Sequence, residues 1–342
     1  MAKVKTIGVD LAKNTFYLVA LSATGKTVWR KKATRDRLLP FLAQKTGIVA
    51  MEGCSGAHHW ARSLQELNIP VAILPAQHVK AYQRGQKNDF NDATAIAEAH
   101  LHGRIRATEV KTLAQQDLQS LFRVREQLLK EQTALINQVR GLLMEYGVTI
   151  PQGKRHFKRA LPLVLEDATN GLTPPIRELL HRRYEVYQLL EQELDGYTKQ
   201  IESLAKADEH CQWLMSIPGF GALVATAFSC WLGDGSQYRK GRQASSALGL
   251  VPKQHSTGGR TVLLGISKVG DKNLRALLVH GARAAARVMP GREDPLSQWF
   301  LRVKARRGHN IAVVALASKL ARIGWSVVRQ QTSYQKVQAA YA

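Results

Sequence analysis

Apolar residues fall in short, closely spaced runs over the first hundred positions and at helical or heptad spacing afterwards. Residues 4–9 (VKTIGV) and 15–21 (TFYLVAL) predict two buried strands, and 26–32 (KTVWRKK) predicts a third, more exposed one. A turn at Ala23, Thr24 and Gly25 makes these a meander. A helix over 35–45 follows, then the strand GIVAMEG with Glu52 at its end. A helix over 58–67, a short strand over 70–74 and a helix from Asn91 to about His102 continue the alternation. The expectation for residues 1–110 is therefore a mixed sheet of about five strands with helices packed on it.

The period changes near residue 113. Leu121, Leu128, Leu135 and Leu142 recur every seven residues, as do Phe122, Leu129, Ile136 and Leu143. A second heptad run holds Leu180, Tyr187, Leu194 and Ile201, flanked by Ile176, Leu190, Tyr197 and Leu204. Residues 147–175, with Pro151, Pro162, Pro174 and Pro175, read as a basic loop between the two runs. The segment 111–208 is thus expected to be helical: a hairpin packed on itself, or a coiled coil joining two copies. From 209 onward, Ser216-Ile217-Pro218-Gly219-Phe220-Gly221 lies between helical stretches and resembles a helix-hairpin-helix turn, with a plain helix–helix turn as the alternative. In the former, Gly219 and Gly221 would let backbone N–H groups approach a phosphate. Glycine-rich basic loops are expected over 233–243 and 252–273, then helices over 272–288, 296–306 and 310–329. The fold class is α/β plus α, in domains 1–110, 111–208 and 209–342.

Charge narrows the function. The 342 residues hold 49 Lys+Arg against 26 Asp+Glu, a formal net charge of +23. Residues 209–342 alone hold 19 basic and 5 acidic residues, whereas 111–208 are nearly neutral. A surplus gathered at one end points to a polyanion partner, and nucleic acid is the obvious one. Cys54, Cys211 and Cys230 are widely spaced, giving no disulfide or zinc pattern. With neither a signal peptide nor an uninterrupted apolar run of about 18 residues, a cytoplasmic protein without a membrane segment is expected.

Against this basic background four acids stand out. Asp10 ends the first strand, Glu52 ends a central one, and Asp89 and Asp92 open a helix three residues apart. Strand ends at the carboxyl edge of an α/β sheet are where ligands bind. Converging carboxylates repel by about 4 kcal/mol per pair at 4 Å and an effective dielectric of 20. Such a group stays ionised around divalent cations, and an all-oxygen set selects Mg²⁺ or Mn²⁺. Taken singly, each acid could instead be a helix cap, a turn residue or an ion-pair partner.

GVDLAKNTF, AMEGCSGAHHWA and KNDFNDATAIAEA resemble the catalytic motifs of the DEDD-type insertion-sequence transposases, relatives of the pilin-gene DNA invertases. IPGFGALVATAF and ALGLVPKQHSTGGRTVLLGISKVGDKNLRALLVHGARA resemble that family's C-terminal domain, so the resemblance spans nearly the whole chain. It implies an N-terminal domain like a Holliday-junction resolvase, RuvC-like with an RNase H fold, in which Asp10, Glu52, Asp89 and Asp92 hold the metal. It also implies a recombinase of donor and target DNA, guided by a structured bridge RNA. A serine nucleophile is implied as well, at the position of Ser256, in a homo-oligomer (dimer to tetramer) whose site is shared between protomers. Such an enzyme would work in the bacterial cytoplasm, at the nucleoid.

Two glycines after Ser256 permit a turn that exposes its hydroxyl, and Lys253 and Arg260 stand ready for a phosphate. A turn-forming serine is the alternative, and Ser267, Ser245 and Ser246 are rival nucleophiles. Arg239, Lys240, Arg242 and Lys268 are further candidate nucleic-acid contacts, as are Arg302, Lys304, Arg306 and Arg307. Trp299, Phe300 and Trp325 either stack on bases or fill the core, and Lys154, Arg155, Lys158 and Arg159 either meet RNA or face water. Two other functions fit the residues: a metal-dependent nuclease that uses no serine, and a non-catalytic nucleic-acid-binding protein.

Overall fold

The computed structural model describes residues 3–86 and 88–335. The chain groups into two compact units, Met1–Gln116 and Asp117–Ala342.

In the first unit, β1 (Val4–Asp10), β2 (Thr15–Ser22) and β3 (Thr27–Thr34) form the expected antiparallel meander. β4 (Ile48–Glu52) pairs parallel to β1, and β5 (Val71–Leu74) parallel to β4. The sheet order is β3-β2-β1-β4-β5, a mixed arrangement compatible with an RNase H-like domain. One face, with Ile7, Val9, Phe16 and Leu18, is covered by α1 (Leu38–Ala43) and α2 (Ala57–Glu66) through Leu38, Leu42, Trp60 and Leu64. The other face, with Ala50, Val19 and Leu21, receives α4 (Asp89–Leu101) through Ala93, Ile96 and Ala97. A short helix α3 (Ala76–Val79) precedes it. Gly8 decides how close α4 comes. A β-carbon there would lie 2.1 Å from Ala93 O and 2.7 Å from Ala97 N, so only glycine admits this contact.

The second unit contains most of α5 (Leu113–Met144), with α6 (Lys154–Glu166) and α7 (Pro174–Ala207). The heptad residues Leu180, Tyr187, Leu194 and Ile201 of α7 are all buried. On α5 burial is confined to the C-terminal half, where Leu135, Ile136, Val139 and Leu143 join Phe157, Leu161, Leu180 and Tyr187 in one cluster. Leu129 and Leu204 of the heptad stripes remain exposed. The basic loop expected over 147–175 is corrected, because α6 occupies its middle. Phe157 and Leu161, four residues apart and fully buried, dock that helix despite Pro162 inside it. Lys154 and Lys158 of α6 pair with Glu191 at 3.4 and 2.8 Å.

Six further helices build a separate core: α8 (Glu209–Met215), α9 (Ala222–Leu232), α10 (Gly241–Ala247), α11 (Lys272–Arg287), α12 (Pro295–Arg307) and α13 (His309–Gln330). Asp208, Asp271 and Asp294 cap α8, α11 and α12 by accepting backbone N–H bonds. α13 is long and apolar enough to cross a membrane by length and composition. Here it is a core helix, burying Leu316, Leu320 and Val327 among α8, α10, α11 and α12. Residues 252–273 are likewise corrected from a loop. β6 (Pro252–Thr257) and β7 (Arg260–Ile266) form an antiparallel hairpin. Gly258 and Gly259, at φ +54° and +76°, make a two-residue turn that favours residues free to adopt positive φ.

Candidate metal centre and serine hairpin

Asp10 is the last residue of β1, and Glu52 the last of the neighbouring β4. α4 enters over the same sheet, its start fixed by Asn88, whose side chain accepts from Phe90 N. Asn88 therefore caps the helix, which leaves Asp89 and Asp92 in its first turn without the capping task. Phe90 also packs edge-on against Tyr17 of β2, with ring centroids 5.0 Å apart. These contacts, together with the Gly8 approach, bring the start of α4 to the end of β1.

Asp10, Asp89 and Asp92 thus present carboxylate oxygens that all lie within 4.8 Å of one another. Asp10 and Asp92 are half-buried and Asp89 is exposed. Glu52 stands outside that mutual spacing but beside it. Its carboxyl is pushed above the usual range first by burial and then by the charge of Asp92. Burial, followed by Glu52 and Asp10, likewise raises the Cys54 thiol. Gln83, which sequence reasoning missed, donates from Nε2 to Asp92 Oδ1 at 3.1 Å and orients it.

The donor set suits a hard divalent cation. Ligand oxygens around one octahedral Mg²⁺ at ~2.1 Å lie roughly 3–4 Å apart, within reach of this triplet by small side-chain rotations. A cation there would also remove the repulsion that raises Glu52.

Ser256 lies in the second unit, on β6, exposed and opposite Thr261. Gln254 donates from Nε2 to Ser256 Oγ at 2.7 Å. Lys253 and Arg260 are exposed on the same hairpin. Of the rival serines, Ser245 is buried and bonds Ser318 Oγ to Oγ at 2.7 Å. Ser246 is exposed, and Ser267 Oγ is buried without a hydrogen-bond partner. Lys268, at φ +58°, donates its N–H to Gly249 O in the loop at the hairpin base. Gly219 has a packing reason to be glycine, since a β-carbon would lie 2.4 Å from Gly281 O of α11. Gly221 faces open space at the start of α9. Arg239, Lys240 and Arg242 lead into α10 and are exposed, whereas Arg302, Lys304, Arg306 and Arg307 lie on the last turns of α12. Phe300 is core; Trp299 and Trp325 pack against that core, and Trp325 Nε1 donates to Gly235 O.

Two family models match the chain. One, described as "Transposase" of the DEDD type, covers residues 7–148, and the other, "Transposase IS116/IS110/IS902 family", covers 211–296. The transposase for insertion sequence element IS1111A of Coxiella burnetii is 42% identical over 98% of this chain and 92% of its own length. The chain belongs to the IS110 family of insertion-sequence transposases. The IS1328 transposase of Yersinia enterocolitica is 38% identical, over 98% of this chain and all of the relative. The transposase is also similar, at 23% identity over 96% of its length, to the pilin gene-inverting protein of Moraxella lacunata. Membership implies DNA strand transfer, and the DEDD label agrees with a divalent metal at the acidic triplet.

Proposed function

We propose that this transposase exchanges strands between donor and target DNA through a phosphoserine link at Ser256, guided by a structured RNA and dependent on a divalent cation. The observation that carries the reading is the convergence of Asp10, Asp89 and Asp92 within 4.8 Å, with Glu52 beside them. Those four carboxylates would hold Mg²⁺, or Mn²⁺ in its place. The cation's chemistry there is to neutralise charge on a phosphodiester and on the oxygen that leaves it.

The chain's own residues do the rest. Gln254, donating to Ser256 Oγ, occupies one lone pair and turns the hydroxyl proton away from it. Ser256 Oγ then attacks phosphorus, giving up its proton to water as the O–P bond forms, and the displaced DNA oxygen takes up a proton. One phosphodiester replaces another, so the bond energy is kept and the reverse attack by a new strand needs no nucleotide cofactor. Lys253 and Arg260 on the hairpin, with Arg239, Lys240, Arg242 and Lys268, supply cations for the phosphates, and the open glycine Gly221 permits a close backbone approach. Gly219 belongs to that turn as well, though its packing against Gly281 accounts for it without a phosphate. The exposed heptad residues Leu129 and Leu204 favour a homo-oligomer; that it is a dimer to tetramer, with the carboxylates of one protomer serving the serine of another, rests on the family resemblance. Guidance by RNA rests on the family resemblance and leaves target choice to base pairing.

The test is a denaturing gel of the protein incubated with labelled element-end DNA, the copurifying RNA and Mg²⁺. Label attached to protein that disappears in Ser256→Ala supports the reading. Attachment that persists in Ser256→Ala moves the nucleophile elsewhere, and free ends without attachment point to hydrolysis by a nuclease.

A further inference from the structure

Every residue of β6 and β7 is exposed except Ile266, which is half-buried, so what holds the hairpin of Ser256 to the helices is its base. There residues 247–251, leaving α10, run against residues 267–270, entering α11. Ser267 donates its N–H to Val251 O at 2.8 Å, and Lys268 donates to Gly249 O at 3.1 Å. A β-carbon on Gly249 would strike the Val269 backbone, and one on Gly270 would strike Ala247 O, so the two segments lie backbone on backbone. Arg275, the fourth residue of α11, is buried and reaches both segments. Its Nη1 donates to Leu248 O at 3.1 Å and to Val269 O at 2.8 Å. Among the described residues Arg275 forms no ion pair. It also stands near the positive end of its own helix dipole, where a cation gains nothing. A buried guanidinium is unfavourable unless its donors are answered, and here the answering groups are the two carbonyls that flank the hairpin.

We propose that Arg275 is a positioning residue for Ser256: by clasping Leu248 and Val269 it fixes the angle at which the hairpin leaves the helices. This role rests on the serine reading above, and a buried Arg275 would fill it without contacting DNA. Leverage makes the base decisive. Ser256 stands four residues beyond Pro252, about 13 Å along the strand at roughly 3.3 Å per residue. A hinge of about 10° at the base would carry its hydroxyl roughly 2 Å over that length. A misplacement of about 1 Å can slow a reaction on the order of a hundredfold. A guanidinium suits the task because it is planar and rigid, so its two bonds set direction as well as distance.

The experiment compares the full chain as wild type, Arg275→Met and Arg275→Lys, each with copurifying RNA and labelled element-end DNA in Mg²⁺. Methionine fills the space without a donor, and lysine restores a single ammonium. At matched fraction folded, attachment of label to protein should slow about a hundredfold in Arg275→Met and about tenfold in Arg275→Lys, with duplex affinity within about twofold of wild type. A purely structural role predicts instead that attachment falls only with the folded fraction. That result, or a wild-type rate in either variant, overturns the proposal. Should Arg275→Met not fold, the tenfold deficit in Arg275→Lys decides alone. Hydrogen exchange on peptides covering residues 262–271 gives a readout independent of strand chemistry. The Ser267 and Lys268 amides should exchange about tenfold faster in the variants while those of α9 keep their wild-type rates. Equal exchange at the base overturns the proposal. If wild type attaches no label, the serine reading fails, and exchange alone judges whether Arg275 holds the hairpin base.

Discussion

Gly8 of β1 and Ala93 of α4 meet backbone against backbone: a β-carbon on Gly8 would stand 2.1 Å from Ala93 O. That contact sets the height of α4 above the sheet, and with it the distance from Asp10 to Asp89 and Asp92. Gly8→Ala should therefore push α4 away, at a cost of about 1–3 kcal/mol or more. The expected outcome is a lower Tm together with weaker Mn²⁺ binding by calorimetric titration, even though no carboxylate has been changed. A variant with normal Tm and normal metal affinity would show that the close approach does not position the site.

A glycine pair acts the same way in the other unit. A β-carbon on Gly281 of α11 would fall 2.2 Å from Gly219 O. Alanine in a helix interior gains about 1 kcal/mol over glycine. Overlap with backbone outweighs that gain, so Gly281→Ala should be net destabilising by about 1–3 kcal/mol in denaturant unfolding. A stabilised variant would mean that the turn at 216–221 yields freely.

His100 gives the first unit a pH dependence. Its ring lies half-buried at the sheet, Nδ1 2.9 Å from Oγ1 of the fully buried Thr6. Burial, and secondarily Lys5, hold it below the ordinary imidazole range. The unfolded chain therefore binds the proton first. The stability that depends on neutral His100 is complete above the ordinary value of about 6.5 and is lost as pH falls below it. Melting between about pH 7.5 and 5 should show this decline, and His100→Asn should make it shallower. An unchanged slope in the variant would assign the decline to other groups.

Gln83 tests how far Asp92 depends on a neighbour for its orientation. Its Nε2 donates to Asp92 Oδ1 at 3.1 Å. Gln83→Ala should cut metal affinity by roughly tenfold while leaving Tm within about 1 °C, the signature of an outer hydrogen bond to a ligand. Unaltered affinity would make this bond incidental.

The strands of the first unit were legible because apolar runs broken by turn residues have few other readings. Asp10 and Glu52 were legible because each follows such a run directly. α6 was hidden by Pro162 and its run of basic residues, since the docking of Phe157 and Leu161 depends on partners on α5 and α7. The β6–β7 hairpin was hidden because β6 is polar and the strands bury almost nothing, although Gly258-Gly259 and the apolar run Val262-Leu263-Leu264 after it were usable signals. Gly8 and Gln83 leave no mark in the chain. Their importance comes from groups at least nine residues away, and only the folded backbone brings them together.

The most direct test of the account is metal-dependent strand cleavage by the triplet. Labelled element-end DNA is incubated with wild type, Asp10→Asn or Asp92→Asn, each with copurifying RNA, in Mg²⁺ or in EDTA. The account predicts product for wild type in Mg²⁺ alone and none for either variant under any condition. Full product in EDTA, or from Asp10→Asn in Mg²⁺, would contradict it.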